Sequence, residues 1–293
     1  MLYFEPNFVD EALVLLDRFG DGARPLAGGT RLGFRLRDAR PDGATALINL
    51  KRIDEMQSVA RSGALLRIGA LVTANQLATH PVVREHAGVL ADAARSLGAR
   101  QLRSVATLGG NICSGDPLSD LTTALLACDA RCEITTLREG PVQVALDFLV
   151  GKTPPVLASG ELLTAVEIPL VAGTRSSYQK MSTRRAFEFA LVAVAASACF
   201  RGAEISEARI ALAGAGTAPK RARAAESALA GKQLDSATIT AAARCAADSD
   251  AQPLEDRRAS KEYRRHLVAV LTARALRSLA PANESGAGKM ISP

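Results

Sequence analysis

At 293 residues, 48% hydrophobic and 23% charged, the chain has room for two or three domains with cores of their own. Its net charge of +6 is scattered, with small clusters at Arg221/Arg223, Arg257/Arg258 and Arg264/Arg265 and no basic tract interleaved with aromatics, which argues against nucleic-acid binding. Aromatics are 4% and Trp is absent, so a flat ligand would pack on aliphatic side chains and backbone; no basic-then-apolar leader opens the chain and no run approaches a bilayer span, which reads as a soluble, cytoplasmic protein without membrane insertion.

Asn7 is placed to cap a helix through Phe19, with Ala12, Leu13, Leu15, Leu16 and Phe19 at helical spacing and Gly20 ending it. Residues 24–27 read as a strand, 31–37 as a helix and 46–50 as another strand, with the glycine loop Pro25-Leu-Ala-Gly-Gly-Thr30 between strand and helix. Residues 56–61 and 65–69 alternate around Ser62-Gly63, a hairpin signal. Thr73 with Gln76 forms a capping box for a helix to Thr79; Pro81 opens another helix, and 89–97 is a third. A second glycine stretch follows, Thr107-Leu-Gly-Gly-Asn-Ile-Cys-Ser-Gly-Asp-Pro-Leu-Ser-Asp120. In it Asp116-Pro117 supplies an N-cap and a first-turn proline for a helix over 118–127 that turns Leu121, Leu125 and Leu126 inward.

Residues 131–137, 142–145 and 162–168 read as strands of a second sheet, with a boundary at 173–177. The run 189–200 is too uniformly apolar for periodicity to decide, and Gly202-Ala-Glu204 offers a turn into a partner strand at 208–213. Helices are predicted over 222–230, 236–248 and 261–279, followed by a flexible tail, 281–293.

Glycine permits positive φ and lets a ligand approach the backbone, and a loop running into a helix start presents N–H groups to an anion. Gly-Gly also makes plain turns. Two such loops about 80 residues apart, each between a candidate strand and a helix start, can hold the two phosphates of one dinucleotide. Other signatures are absent. Gly151-Lys-Thr153 is not a P-loop, because Leu146 stands where the motif needs glycine and Pro154 blocks the helix. There is no G-x-G-x-x-G, G-x-S-x-G or S-x-x-K, so no catalytic nucleophile is assigned. His80, His86 and His266 lack partners at metal spacing, so no metal site is expected. Cys113, Cys128, Cys132, Cys199 and Cys245 contain no C-x-x-C and read as free thiols.

The first loop, Ala27-Gly28-Gly29-Thr30, and the second, Thr107-Leu108-Gly109-Gly110-Asn111-Ile112 with Asp120 nine residues after Asn111, resemble the A-G-G-T and T-[IVL]-G-G-N-[IL] motifs of the FAD-binding (medium) subunits of the molybdenum hydroxylases. This is the family of the carbon monoxide dehydrogenase flavoprotein and the flavin domain of xanthine dehydrogenase. Glu161-Leu-Leu-Thr-Ala-Val-Glu-Ile-Pro169, Tyr178-Gln-Lys-Met-Ser-Thr-Arg184 and Ala259-Ser-Lys-Glu-Tyr-Arg-Arg-His-Leu267 extend the likeness over nearly the whole chain. The resemblance implies an α+β fold. A two-subdomain PCMH-type FAD-binding domain would span 1–172, with subdomains at about 1–55 and 56–172. A C-terminal domain of a small antiparallel sheet plus helices would span 176–280, with 189–200 mostly strand.

The resemblance further implies an electron-transfer subunit that passes electrons from partner [2Fe–2S] clusters through non-covalent FAD to NAD⁺, oxygen or another acceptor. Its partners would be a large molybdopterin-binding subunit and a small [2Fe–2S] subunit, in a dimer of heterotrimers. Matching positions assign FAD to Leu26, Ala27, Gly28, Gly29, Thr30, Arg31, Leu32, Leu97, Thr107, Gly109, Gly110, Asn111, Asp120, Leu163, Tyr178 and Lys180. The amides of Gly28, Gly29, Thr30, Gly109 and Gly110 would neutralise the pyrophosphate. Asp120 would accept from flavin hydroxyls, and Lys180 near the ring would favour its anionic reduced form. Arg31 and Glu188 depart from the usual residues at their positions. A stand-alone FAD oxidoreductase of the same fold and an assembly subunit remain as alternatives.

Overall fold

A computed structural model of the chain describes residues 1–33, 43–150, 157–184 and 189–280. The later part of the expected helix 31–37, Gly151-Lys-Thr153, Glu188 and the tail 281–293 lie outside the described residues.

The first sheet is parallel, in the order β1-β3-β2, from β1 (Leu2–Phe4), β2 (Ala23–Leu26) and β3 (Ala46–Asn49). Helix α1 (Val9–Phe19) buries Ala12, Leu13 and Leu16, and Gly20 at φ +48° ends it. The cap differs from expectation. Phe8 is the N-cap and bonds nothing with its side chain; instead Glu11 in the first turn accepts the Asn7 N–H at 2.8 Å. The first free N–H of the helix, that of Val9, is taken by Glu55 Oε1 at 2.9 Å.

The second sheet is antiparallel, in the order β4-β5-β8-β6-β7, from β4 (Val59–Ser62), β5 (Leu65–Gly69), β6 (Arg131–Thr136), β7 (Gly140–Ala145) and β8 (Leu162–Pro169). Six helices lie between β5 and β6: α2 (Ala74–Thr79), α3 (Pro81–His86), α4 (Gly88–Ser96), α5 (Arg100–Arg103), α6 (Leu108–Cys113) and α7 (Asp120–Ala127). The Thr73–Gln76 capping box forms as read. The Asp116-Pro117 cap does not. Asp116 Oδ1 accepts the Leu118 N–H at 2.9 Å in an Asx turn, and α7 starts at Asp120, capped by Ser119 Oγ accepting from the Thr122 N–H at 3.1 Å. The proline shapes the approach turn rather than the first helical turn. A short helix, α8 (Leu146–Leu149), comes after β7.

The third sheet is antiparallel, in the order β12-β11-β10-β9, from β9 (Arg175–Met181), β10 (Val192–Arg201), β11 (Glu204–Ala213) and β12 (Lys220–Arg221). It carries α9 (Arg223–Leu229), α10 (Ser236–Cys245), which widens into a π turn over 246–250, and α11 (Lys261–Leu279). The 189–200 run is largely strand, and its lack of alternation has a simple cause. Val192, Val194, Ala196 and Ala198 face a core that includes Leu267, Leu271 and Leu276 of α11, while Ala193 and Ala195 on the other side join cores shared with the rest of the chain. Both faces are covered, so both are apolar. All eight residues of α7 are buried, and the helix packs between α4 on one side and β10 and β11 on the other.

One polar island interrupts the second sheet. Arg67 on β5 donates to Glu133 on β6 at 2.7 Å, and Thr164 on β8 donates to the same carboxylate at 2.7 Å, beside a register shift at Glu133/Ile134. Burial acts to raise the Glu133 carboxyl, but the bonds from Arg67 and Thr164 and the Arg67 charge outweigh it and hold it below its ordinary 4.5. A carboxyl lowered in the folded state stabilises the fold above its unfolded value and loses that stabilisation as pH falls through its folded value. Glu133→Gln is therefore expected to cost about 1 kcal/mol, a fall in Tm of about 2–4 °C, at pH 7. The gap to wild type should close as the pH is taken down from 4.5; a constant gap in pH-dependent thermal melts would contradict the ionic role.

Candidate functional site

The two glycine loops meet. A methyl group on Gly28 would lie 1.9 Å from the Val105 carbonyl oxygen and 3.1 Å from Ala106 Cα, so the first loop rests directly on the chain entering the second. Only a residue without a side chain allows that approach. Arg31 adds a bridge, its guanidinium 3.3 Å from Asp116 past the end of the second loop. From the other side Thr73 bridges to Thr107 and the Ala74 N–H donates to Ala106 O at 2.8 Å, so the capping box of α2 also braces the second loop.

The loops differ in what they offer a ligand. None of Gly28, Gly29 and Thr30 donates its N–H to another described residue, and Gly29 sits at φ +70°. In the second loop the amides are committed: Leu108 N–H to Val72 O at 2.9 Å, Gly109 N–H to Ala70 O at 2.8 Å, and Gly110 N–H to the Thr107 hydroxyl at 3.2 Å. The Gly109 and Gly110 amides, which the motif assigns to a pyrophosphate, thus both have partners within the chain. Gly109 is required for fit, since a methyl group there would stand 2.7 Å from Ala70 Cβ. Asn111 accepts from the Ser119 hydroxyl through Oδ1, and its side-chain NH₂ donates to no described residue. The backbone donors without a described partner are thus those of the first loop.

Past α6, the start of α7 carries a buried charged cluster. Asp120 accepts from Tyr178 at 2.5 Å on Oδ1 and from Lys180 at 2.8 Å on Oδ2, and Lys180 donates also to Ser96 O, the last residue of α4, at 3.1 Å. The Asp120 and Lys180 side chains are 8% and 10% exposed, so the pair is a low-dielectric one. Burial pushes the Asp120 carboxyl up, against the Lys180 charge and the Lys180 and Tyr178 hydrogen bonds. Burial and the Asp120 charge push the Tyr178 phenol well above its usual value, which keeps it a donor. The Lys180 ammonium is balanced by Asp120, and two of the carboxylate's acceptor positions are filled from within the chain.

The remaining predicted residues divide. Leu26, Ala27 and Leu32 are part-buried around the first loop. Leu97, directly after α4, and Leu163 on β8 are core side chains, 7% and 3% exposed, spent on packing. The residues the sequence missed are Ser96, Asp116 and Ser119. Ser119 carried a signal, a serine three residues before Thr122 at a helix start, but Asp116-Pro117 made the louder one. All five cysteines are free; desolvation pushes the Cys113, Cys128 and Cys132 thiols up to about 12, so none of these three is a ready thiolate.

The residues present suit an elongated anionic ligand with a polar end: unspent backbone donors on a glycine loop, two further side-chain donors and a buried acceptor–donor cluster beyond them. Two family models account for nearly the whole chain, FAD binding domain in molybdopterin dehydrogenase over residues 1–171 and CO dehydrogenase flavoprotein C-terminal domain over residues 176–279. The chain belongs to the family of flavoprotein subunits of the molybdenum hydroxylases, carries its FAD-binding domain, and is an oxidoreductase subunit. It is 32% identical over 280 residues to the glyceraldehyde dehydrogenase medium chain of Sulfolobus acidocaldarius, covering 95% of this chain and 98% of that one. It is 31% identical over 281 residues to the carbon monoxide dehydrogenase medium chain of Hydrogenophaga pseudoflava, covering 94% and 95%. Among solved structures, carbon monoxide dehydrogenase from Hydrogenophaga pseudoflava, in a form lacking the Mo-pyranopterin moiety of its cofactor, superposes with a TM-score of 0.88 over 95% of this chain and 96% of that one, at 31% identity. Among the described residues no helix is long and apolar enough to cross a membrane.

The glycine contacts make a graded expectation. Gly28→Ala forces a methyl group into a backbone carbonyl and should cost about 3 kcal/mol, with flavin binding lost as the loops part. Gly29→Ala meets only the mobile end of Leu26 at 3.0 Å and bears mainly the left-handed backbone penalty, about 1 kcal/mol. Thermal melts of the two alanine variants check the order; equal losses would count against the loop contact.

Proposed function

We propose that this chain is the FAD-binding electron-transfer subunit of a molybdenum-containing hydroxylase, receiving electrons from [2Fe–2S] clusters on a small partner and passing them to NAD⁺, oxygen or another acceptor. Substrate hydroxylation then belongs to a large molybdopterin-binding partner, in a cytoplasmic dimer of heterotrimers. The domains divide at about residues 55 and 172–176, with the flavin between the first two units and against the third. Bound FAD would supply a carrier that takes electrons singly or in pairs.

The observation that carries this reading is the pairing of an unspent glycine-loop donor set with the buried Asp120–Tyr178–Lys180 cluster. Gly28, Gly29 and Thr30 would offer amides to the diphosphate, with Leu26, Ala27, Arg31 and Leu32 shaping the loop. Thr107 and Asn111 would add side-chain donors, with Gly109 and Gly110 forming the wall behind. Asp120, Tyr178 and Lys180 would order the polar edge of the ring system, while Leu97 and Leu163 back it from the core.

The test is a visible absorption spectrum of the chain purified with and without its co-expressed partners. A flavin spectrum, full release of FAD on acid denaturation and no turnover by the chain alone are the expected results. Lys180→Met, which leaves Asp120 a buried charge without its cation, should weaken FAD binding by about tenfold or more. A colourless wild-type chain would overturn the reading, and turnover of a substrate by the chain alone would favour a stand-alone enzyme.

A further inference from the structure

Helix α7 ends in a Schellman motif. The Ala130 N–H donates to Leu125 O at 3.1 Å and the Asp129 N–H to Leu126 O at 3.3 Å, with Asp129 in the left-handed position at φ +55°. Glycine takes that position without steric penalty, and all twelve other positive-φ residues among those described are glycines. A carboxylate retained at the one strained position calls for a partner, and it has two. Asp129 Oδ2 lies 3.1 Å from Arg209 on β11, and Oδ1 lies 3.5 Å from Arg221 on β12. Arg221 is itself buried and held by both oxygens of Glu226 at 2.6 and 2.9 Å, so its place is fixed by α9. Nearby, the Ser197 hydroxyl on β10 donates to the last α7 carbonyl, Ala127 O, at 2.6 Å in a buried contact. All three contacts come from the third sheet. At the other end of the same helix stand Asp120 and its partners Tyr178 and Lys180, on β9 of that sheet.

We propose that Asp129 is a positioning residue: its ion pairs with Arg209 and Arg221 pin the C-terminal end of α7 to the third sheet and thereby set where Asp120 stands in the flavin site. The inference rests on the FAD-binding reading above. An eight-residue helix is a rod of about 12 Å, so a shift at one end is carried to the other. An aspartate serving only to reverse the chain would be outdone by glycine.

The discriminating variant is Asp129→Gly, which relaxes the backbone and removes the carboxylate. Asp129→Asn tolerates the left-handed position and removes the charge alone. Val268→Ala, a core truncation in α11, serves as a stability comparator distant in sequence from α7. The readouts are Tm, the FAD dissociation constant and the visible circular dichroism of the bound flavin. Asp129→Gly should melt at or above the wild-type temperature yet bind FAD about fivefold more weakly with an altered dichroism, the size of effect a half-exposed ion pair supports. Asp129→Asn should show the same loss of affinity, and Val268→Ala should lower Tm without it. Wild-type affinity and dichroism in Asp129→Gly overturn the proposal, as does a loss of affinity in Val268→Ala as large as in Asp129→Gly. If the wild-type chain binds no FAD, the flavin reading fails on its own account. Amide exchange along α7 then still decides the clamp: faster exchange in Asp129→Gly supports it and unchanged exchange overturns it.

Discussion

The burial of α7 is the constraint on which the other parts depend. Eight consecutive buried residues need partners on every side, and α4 and the other neighbours ahead of the third sheet supply only some of them. The rest come from β10 and β11, whose facing residues Ala193, Ala195, Ala211 and Ala213 are all small and let the helix lie close. A helix that deep carries its polar ends with it, so each end must be satisfied by the surroundings. At the first end Ser119 Oγ accepts the Thr122 N–H and the buried Asp120 carboxylate pairs with Tyr178 and Lys180; at the second the Ser197 hydroxyl donates to the Ala127 carbonyl.

The two glycine loops divide the labour of the same site. One is tied off by hydrogen bonds to the strand-to-helix connection at Ala70 and Val72 and behaves as fixed masonry. The other keeps its amides open and is held in place by contact with the first and by the Arg31–Asp116 bridge. A glycine-rich sequence does not tell these roles apart, because glycine serves close approach and open donors equally well.

What was legible in the sequence was local. The Thr73–Gln76 box, the stop at Gly20, the hairpin at Gly63 and the 261–279 helix each rest on residues within one or two turns of each other, and each stands in the structure. Asp116-Pro117 misled because an aspartate can close an Asx turn as readily as it caps a helix, and here Ser119, three residues on, takes the cap instead. The β10 run hid its period because burial on both faces removes the polar half of the alternation. The paired loops stood out as motifs and meet in the structure; the commitment of the Gly109 amide to Ala70, some 40 residues earlier, had no signature in the motif. Nor did the partners of Asp129, which lie 80 and 92 residues further along the chain.

The wedge between the sheets also bears on how such a polypeptide can be recombined. Separating the units near residue 172 would strip one long side from α7 and leave a bare apolar rod on the front unit and a strip of alanines on the rear one. A chain divided there is expected to need both pieces together for α7 to stay covered.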